Sequence, residues 1–172
     1  MSKGQYIANG SDNVFVASNQ AGQALSLALS TTQTGFTLTN PVQSGVNLII
    51  LQIRVAFTTA PAGIASVVAA ANVNPIAAAV TQTTPLTVRN AKLGSTQQAS
   101  GLAASAVTLP AAPVVVRAIG GPVATGSVSQ PQIVDDVDGA LALTPGTALS
   151  INSLTTAISA IISVTWAEVN AF

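Results

Sequence analysis

The sequence predicts an all-β fold, an antiparallel β-sandwich of the jelly-roll kind, and three observations carry that prediction. Apolar and polar residues alternate in segment after segment, the period of a strand with one face on a core. The segments are short, roughly eight to ten in number, and Gly, Pro, Asn and Ser clusters separate them as turns do. No long amphipathic helix and no fixed-period repeat interrupts the series. Strand number and length suit a jelly roll. An immunoglobulin-like sandwich is the alternative, but the Cys…Trp…Cys spacing of true immunoglobulin domains is missing from a chain without cysteine.

Taken in order, residues 23–30 put Leu25, Leu27 and Leu29 at every second position, so as a strand they point one way. Residues 35–39 form the next strand, closed by the breaker Asn40-Pro41. Residues 46–59 are the strongest segment. Ile49, Leu51, Ile53, Val55 and Phe57 share one face, and Leu48, Ile50, Gln52, Arg54 and Ala56 the other. A long central strand is expected, and its β-branched and aromatic content favours strand over helix. Ala60-Pro61-Ala62-Gly63 is a turn. Residues 64–73 are open between helix, which alanine favours, and strand, which Val67 and Val68 favour.

Residues 86–89 read as a short strand and residues 94–106 as a long loop or surface arm. Pro110 and Pro113 bracket a boundary before the strand 114–119, which Gly120-Gly121-Pro122 ends. Residues 128–137 are extended, with Pro131 favouring an edge. Asp138-Gly139 and Thr144-Pro145-Gly146 read as turns. Residues 147–154 alternate again. In the last segment Ile158, Ala160, Ile162, Val164 and Trp166 line one face, and the only tryptophan is its expected anchor. Residues 1–13 read as a flexible N-terminal arm and residues 14–172 as a single β-sandwich domain.

Charge sets the functional expectation. Only 6% of residues are charged, five of each sign, with zero net charge; ordinary soluble domains carry about 25%. A compact monomer of this mass exposes about 7,700 Å², so each charge serves roughly 770 Å². Neutral, charge-poor surfaces associate. Much of this surface is therefore expected to be buried against partners. Nothing in the balance steers the chain to nucleic acid or to a lipid surface.

Catalytic chemistry finds few groups. The chain has no cysteine and no histidine, which excludes disulfides, thiolate nucleophiles, His-dependent triads and His or Cys metal sites. No enzymatic activity and no cofactor is expected. Asp135, Asp136 and Asp138, ahead of Gly139, form the only carboxylate cluster and a weak calcium candidate. Set in an EF-hand frame, the fifth position falls on Ala140, which has no ligand oxygen. Glycoside hydrolysis needs two carboxyls flanking a bond and commonly aromatic platforms; aromatics are 3% here. The cluster reads first as an acidic surface turn, and pairing with an Arg of a neighbouring subunit is the further reading, with Arg54, Arg89, Arg117, Asp135 and Asp136 as interface candidates. Start and interior offer neither a basic-then-apolar leader nor a long unbroken apolar run, so cytoplasmic synthesis and retention until assembly are expected.

A family resemblance adds to this reading. Residues 143–151 (Leu-Thr-Pro-Gly-Thr-Ala-Leu-Ser-Ile), residues 163–169 (Ser-Val-Thr-Trp-Ala-Glu-Val) and residues 55–63 (Val-Ala-Phe-Thr-Thr-Ala-Pro-Ala-Gly) resemble small structural proteins of tailed-phage virions. The jelly-roll capsid cement (decoration) proteins of short-tailed phages are the most similar group. The resemblance implies a homodimer or homotrimer on the capsid exterior that binds the major capsid protein and stabilises the assembled shell, its loops and termini making the contacts. Residues 2–13 would then serve as an arm that orders on binding. Two other readings stand beside it: a tail, fibre or receptor-binding virion component, and a bacterial surface-assembly subunit.

Overall fold

The computed structural model describes residues 12–72, 80–122 and 132–171. Among the described residues every regular element is a strand, and no helix is long and apolar enough to cross a membrane. The first six strands are β1 (Val14–Ser18), β2 (Gln23–Ala24), β3 (Thr32–Thr39), β4 (Val46–Phe57), β5 (Val67–Ala71) and β6 (Thr81–Leu86). The next six are β7 (Val88–Asn90), β8 (Leu102–Thr108), β9 (Val114–Gly120), β10 (Gln132–Leu143), β11 (Ala148–Ser153) and β12 (Ser159–Asn170).

They form two antiparallel sheets. One has the order β10-β4-β12-β1-β7, with β2 also paired to β12; the other has the order β6-β8-β3-β11-β5-β9. Four pairs are nested in the sequence: β5 with β9, β4 with β10, β3 with β11, and β1 with β12. A chain paired this way is one long antiparallel ribbon rolled over itself, which is the jelly roll the sequence predicts. β6, β7 and β8 are an excursion between β5 and β9. Two of its strands extend the second sheet beside β3, and the third extends the first sheet beside β1.

The core lies between the sheets. Phe15, Phe36, Leu38, Leu48, Ile50, Ile53, Leu149, Ile151, Ile162 and Trp166 are all fully buried, and each such aliphatic side chain contributes about 1.5–3 kcal/mol. The β12 faces are as the alternation predicts. Ala160, Ile162, Val164 and Trp166 are buried, while Ser163 and Thr165 are only partly covered. The undecided segment 64–73 supplies a strand, β5, buried on both faces. Two valines and three small alanines let that strand sit between neighbours in the sheet interior.

Several expectations need correction. The strict alternation assigned to β4 breaks at Leu51. Ile50 pairs with Trp166 but Gln52 pairs with Thr165, so Leu51 is an extra residue and the face parity flips there. Leu48 and Ile50 point inward before the bulge, and Ile53 and Val55 after it. Because every residue from Leu48 to Phe57 except Gln52 and Arg54 is apolar, the pattern could not show the flip. The leucine alternation at 25–29 is not a strand: β2 ends at Ala24, Leu25 is buried and Leu27 is exposed. Residues 86–89 straddle two strands that belong to different sheets. The loop expected over 94–106 ends at Gly101, since β8 begins at Leu102 with Ala103 and Ala104 buried. Alanine-rich strands carry little local β signal, and here packing decides.

Asp138-Gly139 is not a turn between strands. It lies inside β10, where residues 137–140 face Leu51 alone, between the pairs Asp136↔Gln52 and Leu141↔Ile50. Asp138 and Gly139 have φ of 48° and 86°, the left-handed region that Asp tolerates and Gly favours. The excursion carries Val137 into the core. Pro131 lies outside the described residues, but β10 is indeed an edge strand.

Candidate interaction surface

Three places on the sandwich gather most of the charged groups among the described residues. The first is the edge where β9 of one sheet faces β10 of the other. Arg117 and Asp135 both point inward from these strands and form a bidentate pair, Nε to Oδ2 at 2.7 Å and Nη2 to Oδ1 at 2.8 Å. Fork-to-fork geometry makes this the strongest kind of protein ion pair, and it clasps the two sheets at their open side. The hydrogen bond to Asp135, then its charge, hold the Arg117 guanidinium above its ordinary pKa, against the opposing effect of desolvation. A raised cationic pKa contributes its full stability at all pH values below the unfolded one, so the clasp is insensitive to pH across the neutral range. Arg117→Met is expected to cost about 1–2 kcal/mol, measured by urea unfolding, with a flat difference between pH 6 and 9.

An apolar cleft of about 290 Å³ lies between Val116, Leu141, Leu143 and Leu149. Asn72 lines it. The Asn72 amide donates to the Ala111 carbonyl at 3.1 Å, while its Oδ1 is buried with no hydrogen-bond partner.

The second place is the outer face of the first sheet. Arg54 Nε donates to Gln52 Oε1 at 2.7 Å, and Gln52 Nε2 donates to Asp136 Oδ1. Beside this relay, Ser163 and Ser18 share a hydroxyl hydrogen bond at 2.9 Å. The same face also carries an apolar cluster, in which Val14, Leu51 and Ala167 are buried against Ile49 and Ala91.

The third place is hidden. Glu168 is buried at the end of β12, where Ser100 N (3.0 Å), Gly101 N (2.8 Å) and Trp166 Nε1 (3.2 Å) all donate to its Oε1. The carboxylate pins the loop 91–101 to the sandwich. A Cβ at Gly101 would lie 2.9 Å from Leu48 Cδ1 and 3.2 Å from Trp166 Nε1, so any larger residue there would have to displace the Leu48 side chain. Outside this anchor, the same loop and β7 frame a polar hollow of about 350 Å³ that Arg89, Gln97 and Gln98 line.

The acidic cluster does not converge. Asp135 turns inward to Arg117 and Asp136 outward to Gln52, because neighbours on a strand take opposite faces. Asp138 sits beyond them in the excursion. Among the described residues no group of three or more His, Cys, Asp or Glu side chains that could hold a metal ion forms. Two of the expected intersubunit charges, Arg117 and Asp135, are likewise spent inside one chain. Arg54 on β4 and Arg89 on β7 remain exposed. Of the arm expected at 1–13, residues 1–11 lie outside the described residues. Asp12 pairs with Lys92 at 3.0 Å, and the Asn13 carbonyl accepts from Glu168 N at 2.8 Å.

Sequence reasoning counted Glu168 only as a charge, since nothing local marks it as an acceptor for a loop some 70 positions away. It also read Val114, Val115 and Val116 as an ordinary strand. An unbroken apolar run normally signals a buried strand, yet these three are 46%, 43% and 37% exposed on the β9 edge. Comparison of the chain with protein-family models, with curated proteins and with solved structures finds no match in any of the three.

Proposed function

We propose that this chain is a structural virion protein, a capsid decoration (cement) protein that binds the assembled shell of a tailed phage through its major capsid protein. The observation that carries the reading is the surface. The chain exposes 8083 Å², shared among ten charged residues of zero net charge, about 800 Å² for each. Glu168 is buried and Asp135 is largely covered by its own Arg117, so the face that meets water is still poorer in charge than composition suggests. What it offers instead is short hydroxyl and amide side chains, which lose little side-chain entropy when another surface covers them, together with exposed aliphatics such as Ile64, Leu93 and Val114–Val116.

The jelly roll adds stiffness, since nested pairs tie both termini of the ribbon into the sheets. A rigid protein that binds only the assembled lattice stabilises that lattice by mass action. Purified protein mixed with empty phage shells is expected to co-sediment with them at saturating, lattice-defined stoichiometry and to raise their thermal disruption temperature. Peptide mass spectrometry of density-purified virions is expected to give copy numbers comparable to those of the major shell protein. A handful of copies per particle would transfer the chain to the tail or fibres, and absence from particles would end the virion reading.

A further inference from the structure

The apolar cleft of about 290 Å³ draws its walls from both sheets. Ala71, Val116 and Leu149 belong to the second sheet, and Leu141 and Leu143 to the first. Leu143 and Leu149 are also members of the main core cluster, and Leu141 packs against it. The cleft therefore opens onto the packed interior. Among the described residues that line it, none carries a charge.

One polar group in this lining is left unmet. Asn72 is only 8% exposed. Its backbone N–H donates to the Ala148 carbonyl at 3.2 Å, and its side-chain amide donates to the Ala111 carbonyl at 3.1 Å. Only the NH₂ end of an amide can meet a carbonyl, so the Ala111 contact fixes which way the side chain lies. The Oδ1 that remains is buried with no hydrogen-bond partner. Folded proteins pair nearly all such groups, because an unmet buried acceptor costs stability. The two bonds hold Asn72 in place, so its oxygen is a preorganised acceptor. The Thr147 hydroxyl, also in the lining, already donates to the Thr144 carbonyl at 2.7 Å.

We propose that this cleft is a binding site for a small neutral molecule with an apolar body and one hydroxyl or N–H donor, the donor meeting Asn72 Oδ1. Apolar walls with a placed polar group are the usual make-up of small-molecule sites. An apolar cavity of about 150 Å³ takes up benzene, so about 290 Å³ admits a substituted ring. Walls without charge disfavour an ionised ligand, since nothing there would offset its desolvation. The proposal does not rest on the capsid reading, because it needs only this chain.

The test titrates phenol and toluene, which match in shape and differ in one hydroxyl, into the full chain and follows backbone amides by NMR. The amides of Val116, Leu143 and Leu149 should shift, with a dissociation constant for phenol of about 1 mM or tighter. Phenol is expected to bind about fivefold more tightly than toluene. Asn72→Leu removes the acceptor and should reverse that preference. Val116 is 37% exposed, so Val116→Trp should fold, place an indole across the cleft and abolish binding of both probes. Thermal unfolding checks both variants, and Val116→Trp carries the test if Asn72→Leu does not fold. No shift with either probe at about 5 mM overturns the proposal. So does toluene binding as tightly as phenol, a preference for phenol that survives Asn72→Leu, or binding that Val116→Trp leaves intact.

Discussion

Trp166→Ala is expected to remove about 4 kcal/mol of stability, the largest loss from any single substitution considered for this chain. Trp166 is fully buried between the sheets. Its ring lies 6.2 Å from that of Phe15, tilted by 35°, and Phe15 pairs with it across β1 and β12. Truncation removes the transfer free energy of the indole and leaves a void that the rolled sheets cannot close, because β12 is held by β4 on one side and β1 on the other. The midpoint temperature should fall by about 10 °C. In urea the midpoint should fall with the slope unchanged, since the surface exposed on unfolding stays the same. Trp166→Phe should recover more than half of the loss. A loss below about 1 kcal/mol would show that the indole is not the anchor of the core.

Glu168→Ala is expected to cost about 3 kcal/mol. The carboxylate is the acceptor for the backbone N–H groups of Ser100 and Gly101 and for the Trp166 indole. Removing it leaves those donors facing a buried space without a partner, and the unmet donors, more than the lost bonds, set the cost. Glu168→Gln keeps the shape and one acceptor oxygen but adds an N–H₂ that faces donors, so about half of the loss is expected. Hydrogen exchange separates this role from general destabilisation. The amides of Ser100 and Gly101 should speed up in both variants under conditions where those of β4 and β11 do not. Equal acceleration everywhere would mean that Glu168 acts on the whole fold and not on its loop. Because Glu168 also holds the indole, the two losses should fall short of additivity in the double variant.

These two residues also show how legible the fold was. Trp166 was found from sequence because its signal is local. It sits in an alternating segment that stays buried on one side throughout, and an aromatic on that side has nowhere to go but the core. The same reasoning placed β3, β4, β9, β11 and β12 within a few residues and found the Thr144-Pro145-Gly146 turn. Glu168 was missed because its role depends on a loop that chain connectivity places far away and only folding brings to it.

The sequence by itself determined the class of fold, the positions of β3, β4, β9, β11 and β12, the central place of residues 46–59 and of the last strand, and a composition almost empty of charge. Each of these follows from composition or from a period of two, which a strand imposes on its own residues. The tertiary structure decided which strands pair, where the parity flips at Leu51, that Asp138-Gly139 is an excursion inside β10, that Arg117 and Asp135 meet within one chain, and that the three valines of β9 lie on an open edge. These outcomes depend on register and on neighbours across the sheet. An extra residue in one strand changes which side every later residue faces, and a local pattern made of apolar residues on both sides carries no record of it.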